Sequence, residues 1–250
     1  MINVLKYLAC KIYYNLCYIY KRPFLTFKKS SNINNIHVLC RGESLNEYHH
    51  KLEQINPDLI ILANFEKDDI SKSKLLPFLN KVPITIMSNN AEPIPYLSDL
   101  KSINLDEVYI SRIFSKNPNL DNKMKRTNFR LDSISKNVKY IDSNFSDKFE
   151  SILMKTGHHW NTGLFALFLA CTKKPKNINI YGMDFYYSDY YYSDLLHEMD
   201  VKEKNRLFSE RENYLKTFLS IVKEYNEVTF TIITKAQINF NLNNLKFIKI

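Results

Sequence analysis

The sequence predicts an α/β fold: a single Rossmann-like domain with a mostly parallel sheet and helices on both faces, preceded by an N-terminal amphipathic helix. Three observations predict it. From Ile36 onward, short apolar runs rich in β-branched residues alternate with helical patterns. Unbroken runs of this kind are the strands of parallel sheets, which are covered on both faces. The chain has 250 residues, 45% of them hydrophobic, enough for one sizeable core. Finally, residues 1–30 carry Lys6, Lys11, Lys21, Arg22, Lys28 and Lys29 with no Asp or Glu, which sets them apart from the remaining 220 residues.

Residues 2–22 read as a helix, with Leu5, Leu8, Ala9, Ile12, Leu16, Ile19 and Tyr20 on one face and the basic side chains on the other. Such a helix suits an anionic membrane surface, and it equally suits packing on its own domain with its lysines in solvent. It is too interrupted by charge to span a bilayer, and no cleavage site follows it. Pro23 ends it and a polar linker leads to Ile36. Residues 1–30 are thus read as a membrane-associating helix and 36–250 as the main domain. The expected strands are Ile36–Cys40, Asp58–Ala63, Pro83–Met87, Glu107–Ile110, Asn177–Tyr181 and Val228–Ile233. Helices are expected after the first strand, over Ser71–Leu79, over Leu164–Cys171 and from about Lys202 to Tyr225. Residues 111–146, polar and weakly periodic, read as an excursion.

Charge and cysteine content exclude several classes. The net charge is +9, but most of it lies in the first 30 residues. A general nucleic-acid surface is therefore not expected. The four cysteines, Cys10, Cys17, Cys40 and Cys171, form no metal-spaced pair, and no Asp-x-Asp is present to hold a divalent ion. A reducing, cytoplasmic setting is expected, on the inner face of the cell membrane.

In parallel sheets, ligands bind beyond the carboxyl ends of the strands. The first strand runs into Arg41-Gly42-Glu43-Ser44-Leu45, where a Gly permits a tight turn and the following helix offers N–H groups to a phosphate. The second ends in Asn64 and the third in Ser88-Asn89-Asn90. These Asn side chains suit either a nucleotide or ordinary loop chemistry. Asn161-Thr162-Gly163 opens an apolar helix, with Thr162 as N-cap or as an anion ligand. The strand Asn177–Tyr181 then leads to Gly182-Met183-Asp184-Phe185-Tyr186 and a tyrosine-rich run through Tyr192. Phenols at that density suit a departing phosphate and a sugar face.

The segment TGLFALFLACTKKPKNINIYGMDFY resembles the region of bacterial lipooligosaccharide sialyltransferases (glycosyltransferase family 42) in which a Ser/Thr-Gly helix leads to a strand ending in G-x-D-F-Y. It is also similar to the short sialyl motif of animal sialyltransferases. The loop RGESL resembles the G-N-G-P-S-L of the same bacterial family, with Arg41 in place of Asn and Glu43 in place of Pro. The resemblance spans Ile36 to Ile233, with its specific part near Thr162–Tyr192. It implies an inverting, metal-independent transfer of a sugar acid, sialic acid or Kdo, from a CMP donor to a glycan or glycolipid acceptor. No cofactor is implied beyond that donor. Arg41, Gly42, Ser44, Asn64, Asn89, Asn90, Asn161, Thr162, Gly163, Gly182 and Asp184 become the donor-binding set. Tyr186 and Tyr192 match the tyrosines that bind the leaving phosphate.

A general base must take the acceptor's proton, and His suits neutral pH. His197, after the tyrosine-rich run, is the first choice; His158 and His159 are the alternatives. Two other readings stand beside this one: a pterin pyrophosphokinase-like enzyme using ATP and a metal, and a non-catalytic nucleotide-sugar-binding protein on the membrane. The sequence is compatible with an oligomer.

Overall fold

The computed structural model describes residues 33–51, 56–65, 79–88, 103–110, 138–140, 147–157, 161–188, 200–236 and 240–250. Eight strands lie among them: β1 (Asn35–Leu39), β2 (Leu59–Ala63), β3 (Ile84–Ser88), β4 (Leu105–Ile110), β5 (Val138–Tyr140), β6 (Asn177–Tyr181), β7 (Thr229–Thr234) and β8 (Leu245–Lys249). The α-helices are α1 (Asn46–Lys51), α2 (Asp147–Thr156), α3 (Thr162–Thr172) and α4 (Val201–Glu224), and a 3-10 turn covers Glu43–Leu45. The chain divides into two compact units, one built on β1, β2 and β6–β8, the other on β3–β5.

In the first unit the strands run in the order β2-β1-β6-β7-β8. Each neighbouring pair is parallel, as in Ile36 opposite Leu59 and Ile178. The expected parallel α/β class is therefore what the structure has. From β1 the chain moves outward to β2 on one side, and it later returns to β6 on the other side and continues to β7 and β8. The strand order thus reverses between β1 and β6. In the second unit, β3 pairs with β4 and β4 with β5, again in parallel.

Helices cover both faces of the β1/β6 pair. On one face lies α3, packed on β1 and β2. It is buried from Leu164 to Cys171 because α2 and α4 close over its other side, with Phe149 of α2 against Phe165 and Phe168 at 5.0 and 4.5 Å between ring centroids. A helix apolar all round can only be an interior one. The opposite face carries polar groups. Asn179 Nδ2 donates to Asn35 Oδ1 (2.9 Å) and to His37 Nε2 (3.1 Å). With Nε2 accepting, the ring proton sits on Nδ1, 3.3 Å from the Tyr48 hydroxyl of α1. Tyr48 in turn packs edge-on against Tyr181. Burial lowers the His37 pKa to about 4 and pushes Tyr181 up to about 12, so both are neutral near pH 7.

Several boundaries differ from expectation. β1 and β7 are displaced by one residue, and α3 begins two residues earlier. β5, β8 and α2 were not anticipated. β8 (LKFIK) is an edge strand, partly exposed throughout, and its two lysines suit an edge that must not recruit another chain. The N-terminal helix, and the Ser71–Leu79 helix apart from Leu79, lie outside the described residues. Among the described residues no helix is long and apolar enough to cross a membrane.

Candidate functional site

Two loops meet where the strand order reverses. The β1/β6 ladder continues past both strands, with Cys40 N–H donating to Tyr181 O and Gly42 N–H to Gly182 O, each at 2.8 Å. The loops are then bound through one carboxylate. Asp184 Oδ2 accepts from Ser44 N–H (2.8 Å) and from the Ser188 hydroxyl (2.9 Å). Its Oδ1 accepts from the Thr234 hydroxyl and from Lys235 N–H, both at 3.0 Å. Asp184 is 3% exposed. It therefore ties the carboxyl ends of β1, β6 and β7 into one frame. Four hydrogen bonds replace the water that a buried carboxylate gives up.

The glycines in this frame answer to packing. A Cβ on Gly42 would lie 2.5 Å from Gly182 O and 2.6 Å from Asp184 Oδ2. Gly182 has φ +71, and a Cβ there would collide with the Cys40 carbonyl. A Cβ on Gly163 would sit 3.0 Å from Cys40 Sγ and 3.3 Å from Met183 Cε. These last contacts bring the start of α3 beside the ends of β1 and β6. Phe185 and Tyr186 follow at φ +50 and +60, positions that side chains with a Cβ rarely adopt and that store strain. Packing holds them there. Phe185 stacks edge-on against Phe218 of α4, and Tyr186 lies 5.7 Å from Tyr214.

The first turn of α3 is capped from its own chain. Its N-cap is Asn161, not Thr162. Asn161 is extended (φ −136, ψ 175) and its Oδ1 accepts from Leu164 N–H at 3.0 Å, while Thr162 is the first helical residue. Phe165 N–H bonds the Asn161 carbonyl. Among the described residues, nothing accepts from Thr162 or Gly163 N–H, and these are the groups a helix start presents to a phosphate.

The expected site residues thus separate. Arg41, Gly42, Ser44, Asn161, Thr162, Gly163, Gly182, Asp184 and Tyr186 are brought to one end of β1 and β6. Within this set Ser44, Asn161 and Asp184 use their side-chain oxygens on the chain itself. The Ser44 hydroxyl accepts from Gly182 N–H at 3.0 Å, so it builds the loop. Asn64 belongs to the other unit, at φ +60, with its Oδ1 facing the Ser88 hydroxyl at 3.4 Å. Asn is one of the few residues that take this conformation readily. Asn89, Asn90, Tyr192, His158, His159 and His197 lie outside the described residues.

Three residues of the frame were missed: Ser188, Thr234 and Lys235. Thr234 and Lys235 stand at the carboxyl end of β7, where the strand-end rule points. Cys40 is not a nucleophile in this setting. It is buried and, with the Asp184 charge adding to the effect of burial, its thiol is pushed far above the usual range. Among the described residues no His, Cys, Asp and Glu side chains gather in a group that could hold a metal.

No family model and no curated protein matches the chain. Among solved structures, it is similar to the sialyltransferase CstII from Campylobacter jejuni in complex with the substrate analogue CMP-3FNeuAc. The identity is 14% over 80% of this chain and 81% of that one, with a TM-score of 0.46. It is similar also to a CstII variant in complex with CMP, at 13% identity over 87% and 94% of the two chains, with a TM-score of 0.47.

Proposed function

We propose that this protein is an inverting, metal-independent glycosyltransferase that moves a sugar acid, sialic acid or Kdo, from its CMP donor to a cell-surface glycan or glycolipid. One observation carries the proposal. The sequence motifs that resemble CMP-sugar enzymes, RGESL and the Gly182–Tyr186 strand end, meet at the reversal of strand order, with the start of α3 between them. That is where open parallel sheets bind nucleotides. In this reading the CMP phosphate faces the N–H groups of Thr162 and Gly163. The acceptor hydroxyl oxygen attacks the anomeric carbon from the opposite side, the carbon–phosphate-oxygen bond breaks, and CMP leaves. Tyr186 and Tyr192 donate to the departing phosphate, and His197 takes the acceptor proton. Asp184 touches no substrate here; it holds the loops that do.

Thermal unfolding in the presence of nucleotides tests the reading, since a ligand that binds only the folded state raises Tm by mass action. CMP should raise it more than UDP or GDP. A shift with ATP and Mg²⁺ but none with CMP would replace this reading with the pyrophosphokinase-like one. Attachment through residues 1–30 to an anionic membrane belongs to the same proposal. Residues 31–250 should then transfer sugar to a soluble acceptor yet fail to sediment with anionic vesicles.

A further inference from the structure

An ion pair crosses the mouth of the frame. Lys235 Nζ lies 2.5 Å from Glu43 Oε1, and the two side chains are 36% and 40% exposed. Both backbones are fixed by the same buried carboxylate: Ser44 N–H, next to Glu43, bonds Asp184 Oδ2, and Lys235 N–H bonds Oδ1. The anchors are rigid and the charged ends are wet. Glu43 also stands in the nucleotide loop RGESL, where a bare carboxylate would repel a phosphate.

We infer that Lys235 is a donor-binding residue held in reserve by Glu43: it pairs with Glu43 in the structure described above and transfers to the phosphate when the nucleotide binds. This rests on the CMP-donor reading. Exposed pairs of this kind hold weakly, so a phosphate, with more negative charge and more acceptor oxygens than a carboxylate, displaces Glu43 from the ammonium. Glu43 then sets a threshold that a neutral nucleoside meets without benefit, and the site selects for the phosphorylated ligand.

Calorimetric titration of the full chain with CMP and with cytidine tests this. Lys235→Ala should weaken CMP about tenfold, the worth of one charge-assisted hydrogen bond at a partly exposed site, and leave cytidine within about twofold. Glu43→Gln should strengthen CMP severalfold. The double variant decides between direct contact and mere neutralisation of Glu43. Direct contact predicts that it binds CMP about tenfold more weakly than Glu43→Gln alone. A double variant that binds CMP as tightly as Glu43→Gln alone would overturn the inference, as would an equal loss of CMP and cytidine in Lys235→Ala. Equal wild-type affinity for CMP and cytidine would also overturn it. Failure of the wild type to bind either ligand removes the CMP-donor reading as well, an outcome distinct from normal CMP binding that Lys235→Ala leaves unchanged. Neither change removes a bond to Asp184, which here takes the backbone N–H groups of Ser44 and Lys235, and unfolding curves of each variant verify that the fold persists.

Discussion

Asp184→Asn isolates the tie among β1, β6 and β7. The change keeps the size of the side chain and replaces one acceptor oxygen with an NH₂ donor. The two backbone donors, Ser44 N–H and Lys235 N–H, bond different oxygens. Either orientation of the amide therefore points its NH₂ at a backbone N–H that cannot turn away. Ser188 and Thr234 offer no full relief. Their hydroxyls can rotate to accept, but Thr234 Oγ already accepts from Ala236 N–H at 3.1 Å. A hydrogen bond to a charged group contributes about 1.5–3 kcal/mol, and a buried donor left unsatisfied costs about 1–3 kcal/mol. Removing a buried charge returns part of this by ending its desolvation. The net loss should be about 2–4 kcal/mol, which for a chain of this size lowers Tm by roughly 5–15 °C. Urea unfolding followed by circular dichroism measures it, with the slope m as a check that the unfolded state is unchanged. Ser188→Ala, which removes one neutral donor, should cost about 1 kcal/mol and gives the scale. If Asp184→Asn unfolds within about 0.5 kcal/mol of wild type, the range of an ordinary surface change, the four bonds do not hold the frame. Asp184 would then be available to a ligand, as the sequence suggested.

Three further outcomes are expected. His37 has its pKa lowered from 6.5 to about 4 by burial. The unfolded chain therefore binds this proton first as pH falls, and the contribution is complete above pH 6.5 and lost between 6.5 and 4. The shift corresponds to about 3 kcal/mol, seen as the difference between the urea midpoints of wild type and His37→Gln across that window; parallel curves would refute it. Gly182→Ala combines φ +71 with a collision against the Cys40 carbonyl. It should cost about 3 kcal/mol or more, and a folded variant with wild-type Tm would show that the loops are not so close. Tyr186→Phe should lower kcat about 10²-fold with a smaller effect on donor KM, measured with a CMP-sugar; an unchanged kcat removes Tyr186 from the leaving-group site.

The strands of the first unit were legible because β2 is an unbroken buried apolar run and β1, β6 and β7 each carry buried apolar residues around a few polar ones, which leaves their bounds uncertain by about one residue. β8 escaped because an edge strand need not be apolar throughout, and Lys246 and Lys249 break its run. α2 escaped although Phe149, Ile152 and Leu153 form a short buried stripe, because the polar stretch before it hides its start. At the site, the glycines and the G-x-D strand end could be read from local sequence. Thr234 and Lys235 could be read only as residues at a strand end, and not as partners of Asp184. They reach Asp184 only because β7 lies beside β6, a neighbour relation that no local pattern encodes. The same limit produced the misplaced cap at α3. Asn161 and Thr162 are both good caps by residue type, and only the extended backbone of Asn161 decides between them.

The glycines carry more information here than in most chains, because there are only four. Positive φ accounts for only two of them, Gly157 and Gly182. Asn64, Lys174, Phe185 and Tyr186 take positive φ without being glycine, and Gly42 has an ordinary extended φ of −68. At Gly42 and Gly182 another backbone lies so close that a Cβ has no room, and at Gly163 a Cβ would press tightly on Cys40 Sγ. The fourth, Gly157, follows the end of α2 at φ +76, an ordinary helix stop. Three of four glycines are thus reserved for convergence of chain at one place, the ends of β1 and β6 against the start of α3. A fold alone does not require such closeness at a loop, since among the described residues the loops 80–83, 173–176 and 225–228 contain no glycine. Close approach of backbone without side chains is what a site needs when it grips a phosphate with N–H groups. The strain at Phe185 and Tyr186 lies in the same loop, immediately after the carboxylate that ties it down. Rigid convergence and stored strain coincide in one loop cluster where, among the described residues, nothing accepts from Thr162 or Gly163 N–H, and that coincidence supports the proposed placement of the transfer chemistry there.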